Sequence, residues 1–200
     1  ISKITLWHIG LPMRFTFRTS QSTLSHRESL IVGVTTSSGY TGYGEVVAFT
    51  EPFYTAETLT KSKEILLTAW LPFFVGMVGP WAMYEMVDSL QDVSVEPNAN
   101  ADYANEGADS PRATGKKLRM CYPMAWAGLE NAILHAYYGE QGLATIDTLV
   151  PGKKCKTIES GVVLGDMPIP ELLKAVEKHV DNGCRRIKLK LKPGDAVDRV

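Results

Sequence analysis

Near the end of the chain Arg186, Lys188, Lys190 and Lys192 alternate with Ile187, Leu189 and Leu191. A period of two belongs to a β-strand, whose successive side chains leave opposite faces, so one face is apolar and the other wholly cationic. A buried lysine is costly unless it is paired or used in chemistry, because desolvation disfavours its charged form. A lysine with an ordinary pKa of about 10.4 is protonated at neutral pH, but desolvation and a neighbouring cation push a lysine toward the free amine that a general base needs. The same alternation also suits an edge strand with solvated lysines. The pattern alone leaves both readings open.

The elements that must position these lysines are legible around them. Thr157 to Leu164 reads as a strand ended by Gly165. Pro168 and Pro170 introduce a helix with Leu172, Leu173, Val176 and Val180 on one side, stopped by Gly183. Strand, helix, strand is a βαβ unit, so the two strands are expected to be parallel. If helices cover the apolar face, the lysines line the opposite one. In a closed barrel that face is the interior, and the C-terminal strand ends open onto the site where barrel enzymes do chemistry.

The chain opens differently. Ile4, Leu6 and His8 alternate with Thr5, Trp7 and Ile9. Ser29 to Val34 and Thr41 to Phe49 flank the turn Ser37-Ser38-Gly39, which predicts a small antiparallel sheet. The polar stretch Arg18 to Thr23 connects the first two strands. Helices follow: one over about Ala56 to Trp70, capped by Thr55, with Glu57 in its first turn and Pro72 stopping it, and another from Pro123 to about Tyr138, ended by Gly139. Trp126, Leu129, Ile133 and Tyr137 share one face of the second and read as core. Between them Asn98 to Lys117, rich in Asn, Asp, Ala, Gly and Lys, lacks apolar periodicity and reads as a surface excursion.

Composition excludes several classes. The 200 residues are 44% hydrophobic with a formal net charge of −1, enough for a core and without a basic stripe for nucleic acid. Cys121, Cys155 and Cys184 show no metal or C-x-x-C spacing, which fits a reduced, cytoplasmic setting. Ile65 to Met83 carries no charge, but Pro72, Gly76, Gly79 and Pro80 interrupt it, so a buried helix end is expected rather than a membrane span. His8, His26, His135 and His179 form no triad or metal spacing, and Glu45, closing a hairpin, is expected to pair locally.

Gly42-Tyr43-Gly44-Glu45, Val47-Ala48-Phe49, Glu51-Pro52-Phe53-Tyr54-Thr55, Arg27-Glu28-Ser29-Leu30-Ile31-Val32 and Ala127-Gly128-Leu129-Glu130 resemble segments of the o-succinylbenzoate synthase and N-acylamino acid racemase family of the enolase superfamily. Gly161-Val162-Val163-Leu164-Gly165 resembles its first barrel strand. Arg186-Ile187-Lys188-Leu189-Lys190 with Pro193-Gly194 resembles its second. Asn98 to Lys117 looks like an insertion.

The resemblance implies an α+β capping domain over residues 1–150 and the start of a TIM-like (β/α) barrel over 151–200. It also implies proton removal α to a carboxylate, with Mg²⁺ stabilising the enediolate. Lys190 would be the base and Lys188 its neighbour. Val163 would form pocket wall, and Thr19, Ser20, Phe53 and Tyr54 would come from two capping loops that shape the substrate pocket. No carboxylate cluster with metal-ligand spacing stands in these residues; the ligands and a second catalytic lysine are expected beyond Val200, and the 200 residues alone are expected to be inactive. Three functions follow as alternatives: dehydration by an o-succinylbenzoate synthase in menaquinone biosynthesis, racemisation or epimerisation on the same scaffold, or a non-catalytic binding fragment. A small carboxylate substrate is the implied partner, with homo-oligomerisation left open.

Overall fold

The computed structural model describes residues 1–18, 23–52, 55–80, 82–90, 93–94, 112–144, 149–150, 152 and 157–191. Three strands, β1 (Lys3–Arg18), β2 (Thr23–Thr35) and β3 (Thr41–Val46), form one sheet in the order β1-β2-β3. The last two are antiparallel, with Leu30 opposite Val46 and Thr35 opposite Thr41. Gly39 (φ 94°) takes the left-handed turn between them. Against β2, Ser2 N donates to Thr35 O at 2.8 Å while His8 Nε2 meets Glu28 Oε2 at 2.7 Å. Partner numbers fall as strand numbers rise, so this pair is antiparallel too. β1 and β2 outrun their apolar alternation because ladder pairing carries a strand through polar residues. β3 stops at Val46, short of Phe49.

Contacts divide the chain into two compact units: Ile1–Gly10 with Glu28–Pro151, and Leu11–Arg27 with Gly152–Val200. In the first, Leu30, Val32, Val34 and Val46 turn their buried side chains to the core that includes helix α5 (Pro123–Glu140). The Gly42 and Gly44 motif has a packing cause. A Cβ on Gly42 would lie 2.1 Å from Ala136 N, and one on Gly44 would lie 2.0 Å from Gly128 O. Strand and helix therefore touch backbone to backbone, and no side chain fits between them. Trp126, Leu129 and Ile133 are buried as their spacing predicts, with Tyr137 packed at the margin. The Trp126 ring meets Trp70 edge-on at 5.5 Å.

Several boundaries differ from the sequence reading. Thr58, not Thr55, caps the first helix: its side chain accepts from Lys61 N at 3.4 Å, and α1 spans Leu59–Ile65. A π-helical turn (Leu66–Trp70) continues it into α2 (Leu71–Phe74), so Pro72 sits in the first turn of α2 rather than stopping a helix. Glu57 lies before the cap, not in the first turn, and is buried. α3 (Ala82–Ser89) follows. A short antiparallel pair, β4 (Val93–Ser94) with β5 (Arg112–Ala113), leads to α4 (Gly115–Cys121). Thr114 caps α4 by accepting from Lys117 N, so 115–117 are helical and the excursion ends earlier than its composition suggests; 98–111 lie outside the described residues. Among the described residues no helix is long and apolar enough to cross a membrane.

In the second unit β6 (Val162–Leu164) and β7 (Ile187–Leu189) are parallel, joined through α6 (Ile169–Asp181). Both strands are shorter than the runs that announce them. Gly183 (φ 82°) ends the helix region as expected. Of the apolar side of α6, Leu172 is buried and Val176 half-buried, but Leu173 and Val180 are 57% and 53% exposed. A helix covering two strands buries a narrower stripe than four apolar positions describe.

Candidate active site

The site is built by the parallel register. Val162 pairs with Ile187, Val163 with Lys188 and Leu164 with Leu189. Residues at one register position share a face, so Val163 and Lys188 lie together and Leu164 and Leu189 lie on the other side. Leu164 is buried, while Val163 is 40% exposed and Lys188 is exposed. Lys190, two residues on, falls on the Lys188 face by the same period. Its backbone N–H donates to Leu164 O at 3.1 Å, extending the ladder one step past the last strand residue, and its side chain is half-buried. Of the cationic face expected from the alternation, Lys188 and Lys190 thus share one side with Val163, while Lys192 lies outside the described residues.

Thr19, Ser20, Phe53 and Tyr54 lie outside the described residues. The stems of their segments are described. Leu59 N donates to Phe49 O at 2.7 Å, and Phe49 and Thr58 form an isolated bridge, which closes the base of the segment holding Phe53 and Tyr54. Arg18, at the end of β1, accepts from Asp166 N at 2.9 Å through its carbonyl. The sequence marks Gly165 as the end of a strand and of a family-like motif, but no local pattern shows the Arg18–Asp166 contact; a glycine directly after the first barrel-type strand is the one signal for it.

The perturbed titrating groups lie elsewhere, in the first unit. Glu57 accepts from Met124 N (2.9 Å), Ala125 N (2.8 Å) and Ser62 Oγ (2.8 Å), so it caps α5 from a distant part of the chain. Burial raises its carboxyl above the ordinary 4.5 despite these three hydrogen bonds, which pull the other way. Tyr84 donates to Glu130, and burial followed by that carboxylate pushes its phenol up to about 12. Arg119 stacks 5.5 Å over both the Tyr84 and Trp126 rings and pairs with Asp88. These are packing devices: each ties α5 or α4 to a neighbour. Glu45 accepts from Ser29 Oγ at 2.7 Å, the local pairing expected of it. His8 meets Glu28, and His135 Nδ1 accepts from Tyr43 N at 3.0 Å.

Magnesium requires oxygen ligands, usually carboxylates with waters. Among the described residues no group of three or more His, Cys, Asp or Glu comes together to hold a metal ion. The lysine face does not fit a cation, and no ligand is assigned on it.

The fold is similar to that of the N-terminal part of enolase-superfamily members, consistent with an α+β capping domain followed by the opening of a (β/α) barrel. Within that superfamily the chain is similar to o-succinylbenzoate synthases and N-succinylamino acid racemases. It is 32% identical over 200 residues to the o-succinylbenzoate synthase of Bacillus subtilis (strain 168), covering 100% of this chain and 46% of that protein. It is 30% identical over 187 residues to the N-succinylamino acid racemase of Thermus thermophilus, covering 93% and 42%. A crystal structure of an enolase-superfamily member from Listeria innocua Clip11262 superposes with a TM-score of 0.72 at 25% identity, over 99% of this chain and 46% of that one. The chain thus spans about half the length of the relatives it matches. No family model matches it.

Proposed function

We propose that this chain supplies the capping region and the base-bearing strands of an o-succinylbenzoate synthase. The observation that carries the reading is the register that sets Val163 beside Lys188, with Lys190 next on the same face, in a chain similar to such a synthase throughout. In this reading residues 1–150 are the cap and 151–200 open the barrel. Lys190 takes the proton α to the substrate carboxylate. The C–H bond breaks, the proton held by Lys190 passes to the hydroxyl on the neighbouring carbon, that C–O bond breaks to release water, and the cyclohexadienyl ring becomes aromatic. Lys188 stands beside the base on the same face of the strand. Val163 offers the ring an apolar wall. Mg²⁺, held by residues other than the described ones, belongs to this proposal as a cofactor, and menaquinone biosynthesis in the cytoplasm as its setting.

A second reading, racemisation of N-acylamino acids, is favoured by the similarity to the Thermus racemase. Both share the proton abstraction, so the deciding experiment compares kcat/KM for the hydroxy-cyclohexadiene acid, followed by its loss of ultraviolet absorbance, with that for an N-succinylamino acid, followed by polarimetry. Faster dehydration supports the synthase. Faster racemisation overturns it in favour of the second reading.

A further inference from the structure

Within the second unit Gly165 stands where three segments meet. Leu164, before it, accepts the backbone hydrogen bond of Lys190 at 3.1 Å, and Asp166, after it, donates to Arg18 O at 2.9 Å. Gly165 itself is buried. A Cβ built on it would lie 2.9 Å from Arg18 O, 3.3 Å from Arg18 N and 3.4 Å from the Phe17 ring. The end of β1 is therefore laid against the C-terminal end of β6 at backbone distance, one residue from the ladder step that places Lys190. The demand for glycine here is one of space. Its φ does not fall in the left-handed region, in contrast to Gly39 and Gly183.

We infer that Gly165 is a positioning residue for the candidate active site: by carrying no side chain it lets the end of β1 dock at Arg18 beside the strand end that presents Val163 and Lys190. The inference rests on the reaction proposed above. A side chain at Gly165 must move backbone rather than the tip of a flexible side chain, and a misplacement of about 1 Å can cost about 10²-fold in rate. What moves is the end of β1, not the lysine ladder, so the cost falls on substrate binding. Gly161 supplies the control. Its Cβ would lie 2.6 Å from Arg186 O, a tighter backbone clash at the N-terminal end of the same strand pair, where barrel residues serve stability rather than chemistry.

The test compares G165A and G161A in the enzyme that carries this chain. G165A is expected to raise KM about tenfold with kcat within about twofold, and to speed tryptic cleavage after Arg18 several-fold. G161A is expected to lower the thermal midpoint while leaving KM and the Arg18 cleavage rate as in the wild type. Asp166→Pro, which removes the N–H donated to Arg18 O and adds no Cβ at 165, is expected to shift KM in the same direction and decides the matter if G165A does not fold. An unchanged KM in G165A or in Asp166→Pro, or an equal rise in G161A, overturns the inference. A wild type that turns over no substrate overturns the proposed function instead; the cleavage rate still reports whether Gly165 holds Arg18, and an unchanged rate then removes the anchoring as well.

Discussion

Val163 and Lys188 are partners in the parallel register of β6 and β7, and their side chains leave the sheet on one face. An apolar group is thereby fixed beside the amine-bearing strand; under the proposed function it would meet the ring of a cyclohexadienyl acid and offer an acyl-amide group no side-chain hydrogen bond. An apolar wall discriminates weakly, by about 1–3 kcal/mol per methylene. Measurable racemase activity should therefore accompany the synthase reaction. Val163→Ser should shift the ratio of the two kcat/KM values toward the N-acylamino acid. An unchanged ratio would remove Val163 from the specificity argument.

Lys190→Ala should lower kcat by at least about 10²–10⁴-fold, the usual contribution of a positioned base. The thermal midpoint should hold, because the ladder contact of Lys190 runs through its backbone N–H to Leu164 and survives the substitution. Steady-state kinetics and a melting curve on one preparation separate the two effects. Activity near the wild-type level would withdraw Lys190 as the base.

The 200-residue chain alone should give no stoichiometric Mg²⁺ site and no turnover, since its described residues gather no three potential ligands and Mg²⁺ calls for near-octahedral oxygen coordination. Calorimetric titration checks it. A tight one-to-one isotherm would place a metal site on this part of the protein.

Glu57 predicts a pH dependence of stability. Burial raises its carboxyl above 4.5 in the folded state, so protonation favours folding. That contribution is fully present below about pH 4.5 and is lost as the pH rises through the raised value. The stability of wild type relative to Glu57→Gln, measured by urea unfolding from about pH 4 to 7, should therefore decline as the pH rises. A relative stability that grows with pH would mean that the α5 amides outweigh burial.

Gly44→Ala should destabilise the first unit by about 1–3 kcal/mol, the usual cost of overpacking a filled interface, because its Cβ would meet Gly128 O at 2.0 Å. Chemical denaturation measures it. Gly39→Ala meets nothing within 4 Å and should lose stability only through its backbone conformation.

The local elements and their order follow from short stretches of sequence. Alternation at Arg186 to Lys192 announced a strand with one cationic face, Pro123 opened the long helix, and Gly39 and Gly183 marked turns, because each of these is a property of a few adjacent residues. Tertiary structure decided what depends on a partner far along the chain. Thr55 and Thr58 are equally good caps in sequence; Thr58 serves because Leu59 N and Phe49 O fix the chain there. Glu57 looked like a first-turn acid, yet it caps α5, whose N–H groups at Met124 and Ala125 are 67 and 68 residues away. Leu173 and Val180 fall on the predicted apolar stripe but stay more than half exposed. Nor could any local pattern show that Gly165 receives the backbone of Arg18, since a glycine's vacant space has meaning only when another segment fills it.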